Sequence, residues 1–153
     1  MPRRIPWREV SPVEPTTTYV VHAGTFVLDR WRNLPRFLRE SARVRRRLRG
    51  ADGLIGFAFM ARFSERAFTA VTAWEDRSRL GRFIATPEHS HAAGSTRRHL
   101  GTGSRLVSWE SYGSDLPPRP DRVSRELEAA PGLGELDGST GRLVGAGGAH
   151  HPA

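Results

Sequence analysis

The sequence predicts one α+β domain with the ferredoxin-like element order β-α-β-β-α-β. Extended segments rich in β-branched and aromatic residues are interrupted by two segments whose apolar residues recur at helical spacing. The second and third extended segments are separated by three residues, Ser64 to Arg66, which predicts a hairpin. The helical segments follow the first and third strands, and this alternation defines the split β-α-β arrangement.

Length and composition exclude several classes of protein. The chain has 153 residues, enough for one core, and no cysteine, which excludes disulfide scaffolds, thiol nucleophiles and cysteine-ligated metals. No apolar run approaches the roughly 20 residues of a membrane span. The first residues lack the apolar segment of a secretory signal, so we expect a cytoplasmic protein with no membrane span.

The ends of the chain are predicted to lie outside the main domain. Residues 1–17 contain four prolines and should form an extended N-terminal arm, with Trp7 attaching it to the body. Residues 18–113 form the ferredoxin-like domain. Residues 114–131 are a proline-rich linker with a short helix, and the glycine-rich residues 132–153 are expected to be a disordered tail.

The first strand, residues 18–28, and the first helix follow the arm. Both faces of the strand are apolar, so we expect both to be covered. Asn33 is a candidate N-cap for the helix, and Gly50 is a candidate stop. The apolar positions at helical spacing are Trp31, Leu34, Phe37, Leu38, Val44 and Leu48. The positions expected to face solvent are Arg36, Arg39, Arg43, Arg46 and Arg47.

The second half of the domain repeats this pattern around a hairpin. The second and third strands are residues 53–63 and 67–74. Asp76 is placed to cap the second helix, and Pro87 predicts a break near Thr86. The helix then continues to about residue 100, and residues 104–112 form the fourth strand.

Two helices on one face of an antiparallel four-stranded sheet leave the other face uncovered. That face is apolar on every predicted strand, and an exposed apolar face of this size favours association with a second copy. We therefore expect a homodimer that brings two sheets face to face.

The positive charge of the chain is concentrated in one segment. All 24 basic residues are arginines, and residues 30–49 contain nine of them with one acid, Glu40, which accounts for the net charge of +8. A solvated helix face explains this segment, and docking of an acidic partner is the alternative. No recognition-helix motif accompanies the arginines, so no nucleic-acid partner is expected.

Several motifs in a fixed order resemble the dimeric α+β barrel superfamily, which includes the antibiotic biosynthesis monooxygenases. Within it, the order is similar to that of an actinobacterial branch related to spheroidene monooxygenase. The matching stretches are Ile5-Pro6-Trp7, Trp74-Glu75-Asp76 within residues 68–83, Pro87-Glu88-His89, Trp109-Glu110 and Asp115 to Pro118.

This resemblance implies a pocket between the sheet and the second helix that binds a small apolar or aromatic molecule, with monooxygenase-like chemistry. It implies a protein that either works without a cofactor or binds haem, so a haem-binding protein of the same fold is an alternative. A second alternative is a non-catalytic homodimer whose arginine-rich helix docks an acidic partner. Cofactor-free oxygenases of this superfamily carry an Asn on the first strand and a Trp on the second helix. This chain has Ala23-Gly24-Thr25 and Phe83 in those regions.

Two histidines are the candidate catalytic residues. His89, just after Pro87, could act as a base or ligate haem iron through its imidazole. We expect no metal site other than this haem ligand. His22 lies mid-strand, where Gly24 is expected to open space beside it, although a satisfied, half-buried histidine is the favoured explanation. The candidate substrate-binding residues are Trp74, Phe83, Phe68, Phe59 and Arg62, for which a structural role in the core or in an ion pair is the alternative.

Overall fold

The computed structural model describes residues 2–133, which form one antiparallel sheet and four α-helices. The strands are β1 (Arg3–Glu9), β2 (Thr18–Val27), β3 (Leu54–Arg62), β4 (Ala67–Trp74) and β5 (Arg105–Tyr112). The helices are α1 (Leu34–Leu48), α2 (Arg77–Ile84), α3 (Pro87–Arg97) and α4 (Pro120–Ala129). No helix among these residues has both the length and the apolar character needed to cross a bilayer.

The strand order β1-β3-β4-β2-β5 confirms the ferredoxin-like arrangement and adds one strand to it. The four predicted strands have the expected neighbours, with β2 between β4 and β5. The prediction of a four-stranded sheet is wrong, because residues 3–9 of the arm pair with β3. Pro6 is tolerated there because β1 is the edge strand, where a missing N–H breaks no ladder.

The helix-facing side of the sheet holds one of two apolar cores. Val20, Leu54 and Trp74 from the strands pack with Leu48 of α1 and with Leu80 and Phe83 of α2. Asp76 caps α2 as predicted, since its carboxylate accepts a hydrogen bond from the Arg79 N–H at 2.9 Å. The predicted break is also present, because α2 ends at Ile84 and α3 begins at Pro87.

The opposite side of the sheet, which we call the open face, is partly covered by the same chain. Val123 and Leu127 of α4 pack on Tyr19, Val21 and Trp109, and Trp7 of the arm packs on the same cluster. Arg105 donates to the carbonyls of Glu128 (3.3 Å) and Ala130, which fastens the end of α4. The expectation that this face is left uncovered is therefore wrong for the part beneath α4.

Two expectations for α1 are corrected. Asn33 precedes the helix, but its amide donates to Asp29 at 2.8 Å instead of capping α1. The helical spacing predicts that Trp31 and Leu38 face the core, yet their side chains are 47% and 42% exposed. The sheet covers only the narrower stripe around Phe37, Val44 and Leu48, because the apolar pattern is wider than the surface available to bury it.

The predicted glycine-rich tail falls mostly beyond the described residues. Its first two residues are attached to the sheet, since Gly132 forms a bridge with Arg105 and the Leu133 N–H donates to the Ser104 carbonyl at 3.0 Å. Residues 134–153 lie outside the described part of the chain.

Candidate active site between the sheet and the second helical segment

His22 lies in the middle of the helix-facing side of the sheet. Strand register places it beside Thr72 of β4 and Ser108 of β5. Its Nδ1 is 2.8 Å from the Ser108 hydroxyl, so the ring is held by a hydrogen bond whose direction depends on the tautomer. Because β2 is central in the sheet, the imidazole is half-buried and fixed in position.

His89 approaches the same layer from the first turns of α3. Its ring meets the edge of Phe83 at 5.4 Å between centroids, and Phe83 lies 5.1 Å from Trp74. The three rings form a continuous aromatic wall from α3 down to β4. The His89 Nδ1 is buried, and no group of residues 2–133 is in hydrogen-bonding geometry with it; the Ile84 carbonyl is near the ring but does not meet that geometry.

Both imidazoles are neutral at neutral pH. Burial lowers the pKa of His22 to about 4, with a smaller contribution in the same direction from a positive charge on His89. Burial also lowers the pKa of His89, while the nearby Ile84 carbonyl acts in the opposite direction. A neutral imidazole carries one donor and one acceptor nitrogen, which suits a base or a hydrogen-bonding group better than an anion-binding site.

Trp74 has no polar group left to offer a ligand. Its indole N–H donates to the Thr72 hydroxyl at 2.8 Å, and that hydroxyl donates to the His22 carbonyl at 3.4 Å. Trp74 is fully buried, so it supplies a rigid wall beneath Phe83. The Thr72 hydroxyl thus binds the His22 backbone carbonyl, and the Ser108 hydroxyl binds the His22 ring.

Gly24 does not open the expected space beside His22. A methyl group built there would lie 2.6 Å from Leu106 Cδ2 and 2.9 Å from the tip of the Phe26 ring. These two side chains occupy the volume that the glycine leaves. The predicted opening is therefore closed, and the glycine instead permits close packing between β2 and β5.

The other predicted substrate-binding residues lie away from His89. Phe68 belongs to a separate aromatic group with Phe37 at 4.6 Å and Phe63 at 5.7 Å. Phe59 packs on Phe57 at 5.5 Å beneath the Arg45 guanidinium. Arg62 is exposed at the β3–β4 hairpin and pairs with Glu65 at 3.7 Å. The structure brings together His89, Phe83 and Trp74. Phe59 borders the same apolar core as Phe83 and Trp74, whereas Phe68 and Arg62 lie elsewhere.

Neither of two pockets found among the described residues is lined by His22 or His89. A cavity of about 10 Å³, enough for one water, lies between α1 and α3 against Ser95 and His99. A shallow surface depression of about 380 Å³ lies at the hairpin around Arg62 and Phe63. No cluster of three or more potential metal ligands occurs within residues 2–133.

Sequence reasoning missed Ser108 and Thr72, the two hydroxyls around His22. Both were available as polar residues on predicted strands, since Ser108 and Thr72 interrupt otherwise apolar faces. Their relation to His22 depends on strand register, which aligns position 22 with 72 on one side and 108 on the other.

Comparison with solved structures identifies the fold. The heme-degrading enzyme LmHde from Listeria monocytogenes superposes with a TM-score of 0.55 at 15% identity, covering 72% of this chain and 70% of that one. An antibiotic biosynthesis monooxygenase gives a TM-score of 0.54 at 12% identity, covering 60% of this chain and 97% of that one. A conserved protein from Methanosarcina mazei Go1 gives 0.54 at 10% identity, covering 61% and 92%.

No protein-family model and no curated protein sequence matches the chain. The structural matches nonetheless confirm the fold that the motifs predicted, which is that of the antibiotic biosynthesis monooxygenase-like α+β proteins. At these sequence identities the likeness establishes the fold alone. The assignment to an actinobacterial branch stays a prediction.

Proposed function

We propose that the protein binds a small aromatic or apolar molecule between the sheet and α3, where His89 contacts a polar group on it. The observation that carries this proposal is the buried, unpartnered Nδ1 of His89 beside an aromatic wall. An unsatisfied buried polar atom costs about 1–3 kcal/mol, so such atoms call for a partner. A hydroxyl or carbonyl on an aromatic ligand would supply that partner.

Access to His89 requires a movement of α3. This helix has Ala92 as its one buried residue, and an exposed ion pair at 3.8 Å between Glu88 and Arg47 links it to α1. An exposed pair of this kind contributes little to stability. A ligand that displaces α3 from the sheet therefore loses little ion-pair energy and gains the face of Phe83, whose ring covers Trp74.

The chemistry of the site follows from two neutral imidazoles. His89, neutral at physiological pH, accepts a hydrogen bond from an aromatic hydroxyl and raises the electron density on the hydroxyl oxygen. Its lowered pKa makes complete transfer of a proton from a phenol, whose pKa is about 10, unfavourable. His22 lies deeper, with Ser108 to orient its ring. Oxidation of that ligand by molecular oxygen rests on the likeness to monooxygenases of the same fold and on no residue of this site.

Haem fits the site poorly. His89 offers one imidazole nitrogen as an axial ligand, which is the chemistry that haem iron requires. The layer above Gly24 is filled by Leu106 and Phe26, which leaves no slot for a porphyrin beside His22. The binding of a smaller aromatic molecule is therefore favoured over haem.

The proposed assembly is a homodimer. Beyond α4, the open face presents half-buried Val27, Met60 and Thr69 in adjacent strands. A second copy placed against this part of the sheet would cover these side chains. Light scattering at micromolar concentration should give the mass of two chains, and Met60→Glu should give the mass of one. A wild-type monomer would refute this assembly.

The binding proposal is tested with two matched probes, 1-naphthol and naphthalene, by isothermal titration and thermal shift. The hydroxyl of 1-naphthol should raise affinity about tenfold over naphthalene, the value of one hydrogen bond. His89→Phe should retain aromatic packing and abolish that preference. His91→Phe, at a position 67% exposed, is the matched control and should preserve it.

Two results would overturn this assignment. Equal binding of both probes to wild type, or an unchanged preference in His89→Phe, would separate His89 from the ligand. Addition of hemin provides a further arm, since a Soret band that disappears in His89→Ala would replace the aromatic ligand with haem.

A further inference from the structure

The arginine-rich helical stretch presents an apolar and cationic surface that the proposed binding site does not use. Trp31 and Leu38 are 47% and 42% exposed. Trp31 lies in the single 3-10 turn that leads into α1, and Leu38 lies in the second turn of α1. We call the exposed side formed by Trp31, Leu38, Arg39, Arg46 and Arg49 the α1 surface. It faces away from the sheet, which α1 contacts through Leu48.

The arginines of α1 fall into two groups. Arg43 pairs with the buried Glu40 at 3.2 Å, and Arg47 pairs with Glu88 of α3 at 3.8 Å. These two arginines belong to the contact between α1 and α3. At about 100° per residue, Arg39, Arg46 and Arg49 point to the other side, where Leu38 also lies.

The second group has no internal counter-charge. No carboxylate of residues 2–133 lies within 4.0 Å of Arg39, Arg46 or Arg49, whereas Arg79 alone pairs with three acids. The net charge of residues 30–49 equals the net charge of the whole chain, +8. The α1 surface therefore holds unpaired positive charge next to two exposed apolar side chains.

We infer that the α1 surface docks onto an anionic lipid bilayer. Clustered arginines attract anionic headgroups, and an adjacent Trp and Leu can enter the interfacial region of the bilayer. The helix lies along the molecular surface, so Trp31 and the arginines can meet one plane together. Phosphate backbones of nucleic acid would satisfy the arginines and leave Leu38 in water, so the apolar pair favours lipid.

The test uses the full chain and vesicles of phosphatidylcholine, with and without phosphatidylglycerol, in a sedimentation assay. Binding should require phosphatidylglycerol and should weaken with added salt. The triple variant Arg39→Gln, Arg46→Gln, Arg49→Gln should bind about a hundredfold more weakly, given the usual contribution of each arginine near an anionic surface. Brominated lipid should quench wild-type fluorescence. Trp31→Phe should lose that quenching, because Trp74 and Trp109 are buried and the partly buried Trp7 packs on the open face, on the other side of the sheet from α1.

A matched control separates placement from net charge. Arg77→Gln, Arg98→Gln, Arg119→Gln removes the same charge from exposed positions outside the α1 surface and should reduce binding less than about threefold. The inference is overturned by absence of vesicle binding, by equal losses in the two triple variants, or by quenching that survives Trp31→Phe. Binding to duplex DNA in place of vesicles would assign the surface to nucleic acid.

Discussion

Replacing His22 with Asn should remove most of the acid sensitivity of the fold. Burial lowers the pKa of His22 in the folded chain to about 4, from 6.5 in a solvated chain. Between these pH values the unfolded chain binds a proton that the folded chain does not. Stability is therefore fully present above about pH 6.5 and is lost as pH falls toward 4.

The size of the effect follows from those two values. The difference corresponds to about 3 kcal/mol of unfolding free energy in total, of which about 2 kcal/mol is lost between pH 7 and pH 5. Asn places an amide where the Nδ1 of His22 lies, so the hydrogen bond to Ser108 can be retained. The lowered pKa of His89 adds a further loss of stability at low pH in both wild type and His22→Asn.

The assay is urea unfolding followed by tryptophan fluorescence at pH 7 and pH 5. Wild type should lose about 2 kcal/mol more than His22→Asn over this interval. Ser108→Ala, which leaves the buried imidazole of His22 in place, serves as the control and should lose about as much as wild type. Equal losses in wild type and His22→Asn would refute the reasoning, because they would show that another group carries the acid sensitivity.

Three further predictions concern packing around the sheet. Trp74→Phe should lower the unfolding free energy by about 2 kcal/mol in urea titrations, because it leaves a gap and removes the indole donor to Thr72. Gly56→Ala should increase hydrogen exchange in β1 with little change in β5, because the added methyl lies 2.3 Å from the Trp7 ring. Arg79→Ala should lower the thermal midpoint slightly, because it breaks three partly exposed ion pairs.

Much of the fold could be predicted because its signals are local. The alternation of strand and helix periods, the Asp76 cap and the break at Pro87 each depend on neighbours within a few residues. The short helix predicted for residues 121–130 is also present as α4. Its position on the open face, however, arises from distant partners such as Trp109, and local patterns carry no such information.

The site could be predicted only in part for the same reason. The sequence predicted that His89, Phe83 and Trp74 belong to one site, and the structure brings their rings together. The absence of a side chain at Gly24 was visible too, but a sequence does not show which side chain fills the gap. The Leu106 side chain fills the gap, because the register between β2 and β5 places it directly beside Gly24.

The edge strand β1 also bears on how the protein behaves at high concentration. Sheets with a regular, unpaired outer strand can recruit further strands and grow into fibrils. Here the outer strand contains Pro6, shows an irregularity between Ile5 and Arg8, and carries exposed arginines. Like charges and a missing N–H both oppose the pairing of β1 with an edge strand of another molecule. This border of the sheet is therefore protected from edge-to-edge aggregation, while β5 forms the other border.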